Sequence, residues 1–116
     1  MAFTPVETES IKQDLEAFLE RKRPPPEIRH KVDLTYRIEN QSVTVVEVRA
    51  AWRGPPGATI ELPIAKATYV RKHDHWRVYW QRADLKWHRY DSGREVKTVA
   101  AFLRLIDRDE HHVFFG

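Results

Sequence analysis

The chain contains no cysteine. That excludes disulfides, thiolate metal sites and cysteine nucleophiles, and it suits a reducing compartment. Glycine is scarce, with 4 residues in 116, and none stands in a phosphate-cradling loop or a dinucleotide fingerprint. No serine occupies a nucleophile elbow. No apolar run approaches the roughly 20 residues that a membrane span requires. The opening MAFTPVETES has neither the basic nor the apolar region of a secretory signal. The expectation is a cytoplasmic chain that stays out of the membrane and carries no cofactor.

What is present describes a globular domain. With 41% hydrophobic and 32% charged residues, the 116 residues suffice for one domain with one buried core. The net charge of +3 is unevenly spread. Residues 1–30 carry 5 Lys/Arg against 6 Asp/Glu, and residues 31–70 carry 5 against 4. Residues 71–104 carry 9 against 4, whereas residues 105–116 carry 1 against 3. The basic excess is therefore concentrated in one segment, and distribution matters more than total for recognition.

Local signals order the elements. Thr4-Pro5-Val6-Glu7 forms a helix start: a cap, a proline at the first helical position and a glutamate able to close a capping box. Ile11, Leu15, Phe18 and Leu19 make one apolar stripe, and Pro24-Pro25-Pro26 ends the helix. From Lys31 the period becomes two: Val32, Leu34, Tyr36 and Ile38 alternate with Asp33, Thr35, Arg37 and Glu39. Ser42–Trp52 is a second strand, apolar on both sides through Val43–Val46. Pro63 breaks a third extended segment, so pairing is expected from Ile64 to Arg71. Trp76–Arg82 and Lys86–Tyr90 form a last hairpin. Ser92-Gly93-Arg94-Glu95 reads as a second capping box ahead of Val96, Val99, Ala100, Leu103 and Ile106.

The expected fold is α+β: a curved antiparallel sheet of about five strands, with an N-terminal and a C-terminal helix packed on one face. Its parts are a helix over 1–23, a proline-rich connector over 24–30, sheet over 31–91, helix over 92–108 and a docked tail over 109–116. Two helices on one side would leave the opposite sheet face open.

Several elements together are similar to a known family. Glu47-Val48-Arg49, Ile64-Ala65-Lys66, the paired Trp76 and Trp80, Lys86-Trp87-His88 and the closing Phe115-Gly116 resemble the bacterial domain-of-unknown-function family 3024. The resemblance runs from Lys31 to Gly116. It implies a small bacterial protein and brings no catalytic role with it. At the hairpin tip the chain has Asp84-Leu85 where a glycine-type turn is expected.

Arg71–Asp91 is the densest candidate region, holding three of the four tryptophans. Arg71, Lys72, Arg77, Arg82, Lys86 and Arg89 are interleaved with Trp76, Trp80 and Trp87. A two-residue tip at Asp84-Leu85 would put all three tryptophans and Arg89 on one face, with exposed cation–π pairs worth about 0.5–1 kcal/mol each. A three-residue tip would exchange Trp87 and Arg89 for His88 and Tyr90. Rings that stack bases beside cations that hold phosphates are the features of single-strand-binding sheets. The competing reading makes the tryptophans core, which shifts the functional weight to Arg77, Arg82, Lys86 and Arg89.

Glu47, Arg49 and Lys66 are the only catalytic candidates, as a carboxylate beside cations. A metal-dependent nuclease would need further carboxylates, and only Asp33 and Glu61 are near in strand order. The histidines, His30, His73, His75, His88, His111 and His112, do not supply three converging ligands locally, so no metal is expected. The favoured expectation is a non-catalytic binding module for nucleic acid. A protein-interaction or homodimerisation module and a metal-dependent nuclease stand as alternatives.

Overall fold

The computed structural model describes residues 3–51, 53–81, 84–90, 95–109 and 114. Helix α1 (Pro5–Lys22) begins as its sequence requires. Thr4 caps Glu7 N–H, and the Glu7 carboxylate returns to Thr4 N–H, which closes the capping box. The triple proline ends α1, but Pro26–Ile28 forms a short 3-10 turn, so the connector is only partly extended.

Strands β1 (Val32–Glu39), β2 (Ser42–Ala50), β3 (Thr59–Val70), β4 (His75–Gln81) and β5 (Trp87–Arg89) follow one another in an antiparallel meander. A sixth strand, β6 (Glu95–Val96), pairs with the outer side of β4 next to β5. Helix α2 (Val99–Arg108) then returns over the sheet.

One core lies between the helices and a single sheet face. Ile11, Leu15 and Phe18 of α1 and Val99, Phe102, Leu103 and Ile106 of α2 meet Val43, Val45, Ala65, Ala67, Trp76 and Val78. Small Ala65 and Ala67 at the sheet centre leave room for the large rings of Phe18 and Phe102, both fully buried. The α+β class and the position of both helices on one face agree with the sequence reading.

Three expectations are corrected. The third strand does not stop at Pro63. Pairing jumps from Val45–Ala65 to Val46–Pro63, so Ile64 is an extra bulged residue and β3 continues back to Thr59. A bulge is one of the few places where a strand tolerates proline. The second correction concerns the C-terminal helix, which starts at Val99 with Thr98 as its cap, accepting from Ala101 N–H at 3.0 Å. Glu95 and Val96 instead form β6 opposite Arg77 and Trp76, so pairing with β4 overrides the local helix signal. Ser92, Gly93 and Arg94 lie outside the described residues. The third is the hairpin. Gln81 pairs with Trp87, Trp80 with His88 and Tyr79 with Arg89, so five residues intervene between the paired strands instead of two or three.

Ion pairs fasten α1 at both ends. Arg23 grips Asp33 through two 2.7 Å bonds, and Lys22 meets Asp107 of α2 at 3.0 Å. At the other end Glu7 receives two bonds from Arg71, at 3.2 and 3.1 Å. The Arg71 bond, aided by Thr4 N–H, holds the Glu7 carboxyl at about 2, below its ordinary 4.5. A carboxylate depressed in the folded state adds stability above its unfolded pKa, and this is lost as pH falls toward the folded value. Thermal unfolding followed between pH 4.5 and 2 should therefore show a shallower acid loss for Glu7→Gln than for the parent chain. Parallel curves would remove this pair as an acid-sensitive tie.

Candidate functional site

The pairing register divides the hairpin between two faces. Trp76 and Trp80 stand opposite Tyr69 and Ala65 on the helix side, and Trp76 is buried in the core. His88 joins them there, its ring 6.0 Å from Trp80. Tyr90 follows, with its N–H bonded to Val78 O at 2.9 Å and its ring stacked on buried Phe114 at 5.2 Å. Trp87 and Arg89, two residues out of phase, face away from the helices with Tyr79 and Gln81. The faces are those expected of the three-residue alternative, with His88 and Tyr90 beside Trp76 and Trp80, and those of the two-residue tip are overturned: Trp87 does not share their face.

On the helix-free face the register builds a transverse row across five strands. Arg37 stands beside Thr44, Thr44 beside Lys66, Lys66 beside Tyr79, and Tyr79 beside Arg89. The Lys66 ammonium lies 4.7 Å from the Trp87 ring centroid and 5.2 Å from that of Tyr79. The Arg89 guanidinium lies 5.9 Å from Tyr79 on the other side. Burial among these rings pushes the Lys66 amine below its ordinary pKa. The next row carries Glu39, Ser42, Thr68, Arg77 and Glu95, with Ser42 and Thr68 hydroxyls 2.8 Å apart.

This face is not uniformly open. Thr44 and Val46 belong to it by register, yet Thr44 is buried and Val46 is fully enclosed. Arg37, beside Thr44, forms an ion pair with Glu61, beside Val48. The pair must cross β2 at Val46, so it roofs that residue. A second ion pair, Arg89 with Glu95 at 3.5 Å, closes the far end of the row. The Nε atoms of Arg77 and Arg89 and the Nε2 of His75, all on this face, are buried with no hydrogen-bond partner among the described residues.

The other candidates disperse. Arg71 and Lys72 sit on the turn Arg71–His73, where Arg71 is bound to Glu7 and lies over the Tyr69 ring at 5.4 Å. Lys86 is exposed in the hairpin loop, its N–H bonded to Asp84 at 2.9 Å. Arg82 falls outside the described residues, as do His111 and His112. Glu47 and Arg49 pair with each other, but Glu47 is three residues from Thr44 and faces away from Lys66. The three catalytic candidates are therefore not brought to one point. His73 and His75 stack at 5.4 Å. Among the described residues no three His, Asp or Glu converge on a metal position.

A separate cleft of about 370 Å³ lies between the N-terminal ends of the two helices, lined by Phe3, Glu7, Asp14, Tyr69, Trp76 and Lys97 among others. Two of its carboxylates are already engaged: Glu7 with Arg71, and Asp74 with the Tyr69 hydroxyl at 2.7 Å. No helix among the described residues is long and apolar enough to cross a membrane.

Comparison with known proteins adds one relationship. The model of the family described as domain of unknown function (DUF3024) matches residues 3–116. The chain belongs to that family. The match takes in α1 as well as the sheet, a longer span than the motifs alone indicate. No curated protein and no solved structure matches the chain.

Arg37, Thr44 and Tyr79 are the residues of the row that the sequence does not single out as candidates. Alternation places Arg37 on the polar side of its strand, but only the register brings these residues into one row with Lys66. The division of the tryptophans has a direct check by urea unfolding. Trp76→Ala should cost about 3–5 kcal/mol, as large-to-small core changes do, and Trp87→Ala less than half as much. Equal losses would contradict the assigned faces.

Proposed function

We propose that this domain is a non-catalytic binding module that takes single-stranded nucleic acid on the helix-free face of its sheet. The observation that carries the reading is Lys66 set between Tyr79 and Trp87, in one row with Arg37 and Arg89. Unpaired bases stack on sheet aromatics, and cations in the same surface hold the phosphates between them. Lys66 can exchange a ring face for a phosphate oxygen with little movement. The unpartnered Nε–H groups of Arg77 and Arg89 support the same reading, because donors without acceptors favour an arriving anion. The bacterial cytoplasm is the setting we assign to this activity, and a chain without cysteine suits it.

The face is less suited to self-association. A twofold contact would set one row of cations against another, and interface centres are depleted in charge. Edge strand β1 carries Asp33, Arg37 and Glu39, charges of the kind that discourage strand addition.

Anisotropy of labelled oligomers in about 50 mM salt should show single strands bound more tightly than duplex, with affinity falling as salt rises toward about 200 mM. Trp87→Ala should weaken single-strand binding by about 1–3 kcal/mol, the worth of one stacked base. Arg71→Gln, at the end of the sheet beside α1, should leave it unchanged. No binding by any single- or double-stranded oligomer would overturn the proposal.

A further inference from the structure

The row has anions of its own at both ends. Arg37 is held by Glu61 and Arg89 by Glu95, whereas Lys66 at the centre has no carboxylate partner among the described residues. Both glutamates lie on the helix-free face by register, Glu61 opposite Val48 and Glu95 opposite Arg77. Their side chains are 49% and 34% exposed, so each can swing into solvent and release its arginine without unfolding the sheet.

We infer that Glu61 and Glu95 are resident counter-anions that a nucleic acid displaces, so that the site is a three-phosphate path whose two outer positions are contested. The inference rests on the nucleic-acid reading above and deepens it. Lys66 offers the first phosphate an uncontested cation between two rings. Arg37 and Arg89 become available only when a phosphate replaces a carboxylate.

This exchange has a thermodynamic signature. Each phosphate neutralised on a single strand releases counterions and contributes about −0.7 to the slope of log affinity against log salt. A displaced glutamate takes a cation back from solution and cancels one such contribution. Three phosphates against two displaced carboxylates leave a net slope of about −1, whereas three uncontested phosphates give about −2. The device makes affinity modest and only weakly dependent on salt, and it favours a ligand with closely spaced phosphates over scattered anions.

The test compares the parent chain with the double variant Glu61→Gln, Glu95→Gln, using a single-stranded oligothymidylate and an oligouridylate as probes. The double variant should bind more tightly, by about 1.5- to 5-fold for each ion pair removed. Its salt slope should steepen from about −1 to about −2. A charge-matched control, Glu20→Gln on α1 with Glu27→Gln on the turn after it, should change neither quantity. Unchanged or weakened binding in the double variant, or an equal gain in the control, would overturn the counter-anion role while leaving the nucleic-acid reading in place. If the parent chain and the double variant both bind neither probe, that reading itself fails. Circular dichroism of both variants confirms that the exposed substitutions leave the fold intact.

Discussion

Tyr90 sets the phase of the hairpin. Its ring is buried against Phe114, and its N–H closes on Val78 O at 2.9 Å. Side chains alternate along a strand, so fixing Tyr90 inward fixes His88 inward and sends Arg89 and Trp87 outward. The strand β5 is only three residues long and could not hold that register by its own ladder. The nonpolar contact with the C-terminal segment holds it. Everything on the helix-free face follows from that phase: Arg89 beside Tyr79, Trp87 within reach of Lys66, and Trp80 left to the core side. Slipping β5 by one residue would bury a guanidinium and expose Tyr90, and desolvating an unpaired charge costs several kcal/mol or more.

A second constraint lies in β2, where four consecutive residues, Val43 to Val46, are buried although one sheet face has no helices. Val43 and Val45 are covered by the helix layer. Thr44 and Val46 are covered by long polar side chains from the flanking strands, chiefly the Arg37–Glu61 pair that bridges across them. The aliphatic stems of such residues shield apolar surface while their charged ends stay wet. The same pair therefore serves the fold by roofing Val46 and defines one end of the cationic row. The bulge at Ile64 belongs to this arrangement. It shifts β3 by one residue, so that Glu61 rather than Leu62 reaches the outer face beside Val48.

Legibility followed the range of the forces involved. The start of α1 was readable because Thr4, Pro5 and Glu7 act on one another within a single turn. The apolar stripes of both helices were readable from their period, and the two-helix, one-sheet layout followed. Residues 95–98 were misread because Glu95 and Val96 answer to Arg77 and Trp76, about twenty positions away in the chain, and not to a cap beside them. The hairpin tip carried no glycine to announce its length. Leu85 adopts the positive φ of 64° that a glycine would ordinarily supply, so the turn chemistry was hidden in an unfavourable residue. With loop parity unreadable, the face of Trp87 and Arg89 was unreadable too. Lys66 was singled out for a different reason, as a catalytic cation beside Glu47, and the register separates those two by placing them on opposite faces.

Lys66 also shows what this surface costs the free protein. Burial lowers its pKa, so between its folded and unfolded values the unfolded chain holds the proton more tightly. Folding then becomes more favourable as pH rises through that interval, and below it the protein carries the cost of a partly desolvated ammonium. The two ring contacts return some of that cost, about 0.5–1 kcal/mol each for exposed geometry and more when water is excluded. Glu61 and Glu95 neutralise Arg37 and Arg89 at the ends of the row, whereas no carboxylate among the described residues pairs with Lys66 at its centre. An apolar side chain at position 66 would pack between Tyr79 and Trp87 without any of these opposing terms. On the proposed function, an anion over the row would reverse the balance by replacing the solvation that Lys66 loses on folding. In the proposed complex, the charge that weakens the isolated sheet would serve as a point of contact for the ligand.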